Sequence, residues 1–177
     1  MTKRIIIAGS GGQGVLFLGR LLAYTAMLEN NEVTWFPSYG AEMRGGTANC
    51  TVVISDDIIG SPVVRNPDIL ITLNEASYKK FAPTVTPEGL VLYDSSINIS
   101  QNSVAAKLQS VDATALAASL NAPGSANMAM VGACAASGIV SLDAAFRALE
   151  AVTPARRKSS LELNKKIITI VYEKTKN

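Results

Sequence analysis

The sequence predicts an α/β fold, with an open, mostly parallel sheet flanked by helices and a helical C-terminal third, all in one domain spanning residues 1–177. Three observations predict it. Short apolar, β-branched runs alternate with segments of helical spacing through the first two thirds of the chain. A glycine-rich turn joins the first such run to the first such helix, a Rossmann-like start. Past Asp112 the patterning is helical only, and no repeat or linker divides the chain. With 177 residues, 48% of them hydrophobic and 17% charged, a sizeable core is within reach.

Arg4 to Ala8 is a nearly continuous apolar run, as expected of a strand buried on both faces, and Gly9 ends it. From Gly14 to Glu29, Val15, Leu18, Leu22 and Met27, joined by Gly19, Ala23 and Ala26, keep the spacing of a helix packed closely on the sheet. Val33 to Phe36 predicts a second strand that Pro37 stops, before a loop, Ser38 to Gly46, without apolar periodicity. Thr47 to Ser55 alternates, which predicts a third, half-exposed strand. Asp68 to Leu73 and Gly89 to Asp94 follow as strands around a polar helix, Glu75 to Phe81, closed off by Pro83 and Pro87. Lys107 to Val111 is the last strand expected. Helices are then expected over 113–120, 126–139, 142–151 and 155–174, with Asn127 capping the second and Ser141 the third.

Composition excludes several chemistries. Histidine is absent, which removes Ser-His-Asp and Cys-His nucleophile systems and the common histidine metal sites. Two cysteines, Cys50 and Cys134, give neither a disulfide framework nor the four thiolates of an iron-sulfur cluster, and both read as small buried hydrophobes in a reducing compartment. No apolar stretch approaches the roughly 20 residues that span a bilayer, and the run after Lys3 and Arg4 is too short for a secretory signal, so the expected location is the cytoplasm with no membrane contact. The net charge of +2 hides seven basic and two acidic side chains over 156–177. These sit at helical spacing beside Leu163, Ile167, Ile170 and Val171 without aromatic interleaving, so a solvated helix face is expected and no nucleic acid. Asp56 and Asp57 read as a turn.

Gly9-Ser10-Gly11-Gly12-Gln13-Gly14 satisfies G-x-G-x-x-G between strand and helix. Yet Trp35, Phe36, Pro37 and Ser38 stand where a dinucleotide enzyme needs an acid, and Val15 and Leu16 stand where a P-loop needs its Lys and Ser/Thr. A packing turn and a ligand site both remain open for Gly9, Gly11, Gly12, Gln13 and Gly14. The loop Ser38, Tyr39, Gly40, Glu42, Arg44, Gly45, Gly46 carries more than a turn needs, and it should meet the glycine turn at the carboxyl end of the sheet. A ligand or partner role and a structural Glu42–Arg44 pair both fit it. The residues alone leave open a stand-alone nucleotide-binding protein and a purely structural adaptor.

GSGGQGV after the first strand, SYGAEMRGGTANC, and Asn127 and Gly132 in SANMAMVGA resemble the gamma subunits of 2-oxoacid:ferredoxin oxidoreductases over most of the chain. The Ser-Tyr-Gly-x-Glu-x-Arg-Gly-Gly loop is the characteristic part, and its form is more similar to the 2-oxoglutarate type than to the pyruvate or ketoisovalerate types. The resemblance implies one pyruvate/ketoisovalerate oxidoreductase gamma-type catalytic domain. It also implies alpha, beta and delta partner subunits that hold thiamine diphosphate, magnesium and iron-sulfur clusters. Such a complex turns a 2-oxoacid and coenzyme A into acyl-CoA, carbon dioxide and reduced ferredoxin. This chain, with no cofactor or metal of its own, would serve assembly and substrate or coenzyme A positioning, and would be inactive alone.

Overall fold

The computed structural model describes residues 1–38, 47–99 and 104–176. Six strands form one sheet: β1 (Lys3–Ser10), β2 (Glu32–Ser38), β3 (Thr47–Ser55), β4 (Ile69–Thr72), β5 (Leu90–Asp94) and β6 (Lys107–Val111). The helices are α1 (Val15–Leu28), α2 (Glu75–Phe81), α3 (Ala113–Ser119), α4 (Ala126–Ala136), α5 (Leu142–Val152) and α6 (Leu161–Lys176). The strand order is β2-β3-β1-β4-β5-β6. β1, β4, β5 and β6 run parallel, and β3 runs against both of its neighbours.

That single reversed strand sets the fold apart from a plain Rossmann start. The strand that follows α1 does not lie beside β1, because β3 folds back from it and takes that place. A short connection suffices between antiparallel strands, whereas a parallel return would need a crossover of a dozen residues. Apolar side chains hold β3 there on both faces. Ala48, Cys50, Val52 and Ile54 face one core and Val53 the other, so where a half-exposed strand was expected from alternation, residues 48–55 are buried except at half-buried Asn49 and Thr51. Pro37 does not stop β2 either. The strand runs on through Ser38, since on a sheet edge a missing N–H costs no ladder bond.

Two hydrophobic layers flank the sheet. One holds Ile5, Ile7, Leu18, Leu22, Ile71 and Leu92 beneath α1 and α4, and the other holds Ile6, Leu70, Tyr78 and Val91 beneath α2. Each fully buried Ile or Leu contributes about 1.5–3 kcal/mol. Close packing is built with glycines: a Cβ on Gly19 would collide with Cys50 Sγ, and one on Gly132 with the Ile168 carbonyl of α6. Helix α4 ends at Ala136 rather than Ile139, because Gly138 turns into the left-handed region (φ 69°) and the Ile139 N–H returns to the Cys134 carbonyl. The Lys3 ammonium then donates to the carbonyls of Gly138 and Ile139 at 2.9 and 3.0 Å, closing that helix end. Ser141 caps α5 as expected, accepting from the Ala144 N–H at 3.3 Å. Residues Ala155–Ser160 form a 3₁₀ turn, so the last helix starts only at Leu161. On its basic face Lys165 pairs with Glu150, and Lys174 with Asp112. No helix among the described residues is long and apolar enough to cross a membrane.

Candidate functional site

The carboxyl end of β1 and the start of α1 frame the glycine turn. Gly12 (φ 91°) and Gly14 (φ 73°) both adopt left-handed backbone, which only glycine does without strain. At Gly12 the need is conformational, because a Cβ there would meet nothing within 4 Å. At Gly14 it is steric as well. A Cβ would collide with the Asn127 carboxamide, whose Nδ2 donates to the Gly14 carbonyl at 3.3 Å.

Several of the turn's polar groups are answered from within the chain. The Gln13 side chain folds back so that its Oε1 accepts from the Ser10 N–H at 2.7 Å, while its Nε2 donates to the Leu73 carbonyl at 2.9 Å. Asn74, the N-cap of α2, accepts from the Ser77 N–H at 2.8 Å with one end of its carboxamide. With the other end it donates to Ser10 Oγ at 2.6 Å. Glycine turns that hold phosphate keep backbone donors open for it. Here the Gln13 carboxamide takes up the Ser10 N–H, and side-chain bonds tie this end of β1 to Leu73, to the α2 cap and to α4.

Asn127 therefore does not cap α4. That helix has Ser125 at its N-cap without a side-chain bond, and the 6% exposed Asn127 carboxamide points instead across to the turn. A donor beside a carbonyl that already accepts from the Leu18 N–H at 2.9 Å shares an acceptor with two lone pairs, a cheaper arrangement than leaving a buried amide unpaired. Sequence reasoning missed Asn74 altogether. The signal was present, an Asn directly ahead of a helix that starts at Glu75.

Backbone register places the residues that flank the second motif. Ser38 pairs with Asn49 at the end of β2, and Ser10 pairs with Thr47 at the start of β3. Positions 38 and 47 thus stand at the end of the sheet where β1 enters the glycine turn. Tyr39, Gly40, Glu42, Arg44, Gly45 and Gly46, and with them the Glu42–Arg44 pair, lie outside the described residues.

Both cysteines behave as core atoms. Burial pushes the Cys50 thiol up to about 11, partly opposed by the Trp35 indole N–H against its sulfur, and burial alone pushes Cys134 to about 12. Neither offers a thiolate near neutral pH. Among the described residues, no three His, Cys, Asp or Glu side chains converge as a metal site.

Residues 4–174 match the pyruvate ferredoxin/flavodoxin oxidoreductase family. The ketoisovalerate oxidoreductase subunit VorA of Methanothermobacter thermautotrophicus is 40% identical over 166 residues, which is 93% of this chain and 35% of that one. The chain thus spans about a third of the length of that relative. The 2-oxoglutarate synthase subunit KorC of the same organism is 34% identical over 171 residues, covering 91% and 90%. Among solved structures, the gamma subunit of a keto/oxoacid ferredoxin oxidoreductase from Geobacter sulfurreducens superposes with a TM-score of 0.85 at 26% identity, over 99% of this chain and 97% of that one. A 2-oxoglutarate:ferredoxin oxidoreductase from Magnetococcus marinus shares the fold with a TM-score of 0.89 at 20% identity, over 99% of this chain and 31% of that one.

Proposed function

The chain belongs to the pyruvate ferredoxin/flavodoxin oxidoreductase family, and from that premise we propose that it is the gamma component of a 2-oxoacid:ferredoxin oxidoreductase. In that complex it serves assembly and positions coenzyme A or the oxoacid. Alpha, beta and delta companions carry thiamine diphosphate, magnesium and iron-sulfur clusters and pass electrons to ferredoxin in the cytoplasm. The observation that carries the reading is the match over residues 4–174 in a chain with no histidine and with both thiols buried. Neither ylid chemistry nor an electron path finds its ligands in such a sequence.

The positioning role falls to residues 38–46. Arg44 is the one basic residue between Arg20 and Arg65, bracketed by glycines in sequence, and a guanidinium fork suits a phosphate or carboxylate held in two-point contact. The test is the Michaelis constant for coenzyme A in assembled complexes carrying Arg44→Lys or Glu42→Gln. The expected change for Arg44→Lys is a loss of about tenfold to a hundredfold, the worth of one charge-assisted contact. Wild-type constants in both variants would leave the loop a conformational element.

The form of the SYGAEMRGG loop favours 2-oxoglutarate as substrate, and the KorC relative corresponds to this chain over nearly its full length. Identity to VorA is higher, at 40%, and that favours ketoisovalerate as a second reading. Initial rates of the assembled complex with 2-oxoglutarate, 2-oxoisovalerate and pyruvate separate them.

A further inference from the structure

Strand β6 ends the sheet on the side away from β2, and among the described residues it pairs with β5 alone. The ladder fixes which way its backbone points. The Lys107 N–H donates to the Gly89 carbonyl at 2.9 Å and the Val111 carbonyl accepts from the Ser95 N–H at 2.8 Å, so both residues turn their peptide groups inward. Alternation along a parallel pair then turns the N–H and C=O groups of Leu108 and Ser110 outward, where no described residue takes them up. Edges that stay alone are usually blunted by charge, proline or a bulge. Within β6 the one charge is Lys107, its first residue, and Asp112 follows just past its end. The edge borders a cleft of about 650 Å³ lined by β6, α3 and α6, with Leu108, Val111, Leu116, Ile170 and Val171 as its apolar part. Lys107, Asp112 and Lys174 line it too, and Lys174 pairs with Asp112 across it. Lys107 is exposed and has no ion-pair partner among the described residues.

We propose that the β6 edge is the seat of a second copy of this chain, added antiparallel so that the two sheets join about a two-fold axis. The inference goes beyond the function proposed above and does not depend on it. Charge order selects the occupant. An antiparallel copy brings the start of one β6 beside the end of the other. With Leu108 of each copy opposite Ser110 of the other, the outward peptide groups of both meet in reciprocal pairs. In that register Lys107 stands opposite Val111 of the second copy, one residue from its Asp112. The unpaired cation of each copy thus meets a carboxylate of the other at both ends of the ladder, and a carboxylate already paired with Lys174 still has lone pairs to accept it. A foreign strand would satisfy the same amides, but β6 itself carries the two charges in the order that its own edge answers. Helices α3 and α6 pack on the same core, so the two-fold axis sets both clefts side by side on one face, where Leu116 and Ile170 leave water together.

The test is light scattering on the purified full chain over a dilution series, comparing wild type, Ser110→Pro, Lys107→Glu, and Phe36→Lys on the opposite edge strand. Ser110→Pro removes an outward N–H and no ladder bond within the chain, so it blocks the edge and spares the fold. The expected result is a wild-type dimer, a Ser110→Pro monomer at the concentrations where wild type is dimeric, and a Phe36→Lys dimer like wild type. Lys107→Glu should raise the dimer dissociation constant about tenfold, because like charges then meet at both ends of the ladder. A wild-type chain that is monomeric throughout would overturn the inference. If companion subunits co-expressed with that chain are recovered by wild type and lost from Ser110→Pro, the occupant is a foreign strand. A dimer that survives Ser110→Pro, or one that Phe36→Lys abolishes, would overturn the inference as well, and an unchanged constant in Lys107→Glu would overturn the antiparallel order on which it stands. Thermal melts verify the fold of each variant, and if Ser110→Pro does not fold, Ser110→Lys carries the same outcomes.

Discussion

The glycine turn and the β2 edge treat their exposed chemistry in opposite ways. At the turn, Gln13 folds back and Asn74 and Asn127 reach in from α2 and α4 to occupy backbone and side-chain polar groups. At the edge, Phe36 and Met27 face solvent on or beside a strand with no partner on its outer side among the described residues. The motif that first suggests a ligand is thus the braced region, and the strand without a motif is the open one. A glycine signature reports a backbone shape, and what fills that shape decides whether it binds or only braces.

The largest expected effect tests the brace. Gly14→Ala must adopt left-handed backbone and push the Asn127 carboxamide aside, and we expect a stability loss of about 3 kcal/mol in urea unfolding. Adding Asn127→Ala should restore part of it by removing the collision. A neutral result for Gly14→Ala would mean that the turn is not packed as described.

The thiols give the next effect. Cys50 lies behind the β2 edge against Gly19 and Trp35, and Cys134 lies fully buried in α4. Both folded thiols titrate above the ordinary 9.0, so the native state keeps protons that the unfolded chain releases. Their contribution is complete below pH 9 and declines as pH rises through about 11 for Cys50 and about 12 for Cys134. Over that window each costs on the order of 1.4 kcal/mol per pH unit. Chemical denaturation between pH 8 and 11 measures the slope, and a Cys50→Ala/Cys134→Ala variant should show a flatter profile than wild type.

Gln13→Ala should cost about 1–2 kcal/mol, since it strips an acceptor from the Ser10 N–H and a donor from the Leu73 carbonyl. The smallest effect belongs to the edge. Phe36→Lys should change the stability of the isolated chain by no more than about 0.5 kcal/mol, because the ring is half exposed. A large loss there would show that Phe36 supports the fold, and the contrast between the two regions would disappear.

Much of the fold was legible because local patterning and tertiary context agree. All six strands and all six helices stand near the expected residues, from the apolar run of β1 to the Ser141 cap of α5. Strand order was not legible, because the insertion of β3 beside β1 depends on nonlocal packing of Cys50, Val52 and Ile54 under α1. The extension of β2 through Pro37 was missed for a related reason: a proline breaks a strand only where its N–H is needed, and edge position is a tertiary fact. At the site, the glycines announced the turn, but the inward fold of Gln13 and the reach of Asn127 across 113 positions are side-chain choices that spacing does not record. The β2 edge left no motif at all, since VTWF reads equally well as a buried strand.

The most direct test of the account is an omission assay with purified components, following ferredoxin reduction with 2-oxoacid and coenzyme A present. The chain alone should give no turnover, the companion subunits without it should give little, and recombination should restore the rate with a one-to-one stoichiometric endpoint for each gamma position. Turnover by the isolated chain, or full activity of the companions without it, would contradict the proposed role as positioning component of a complex.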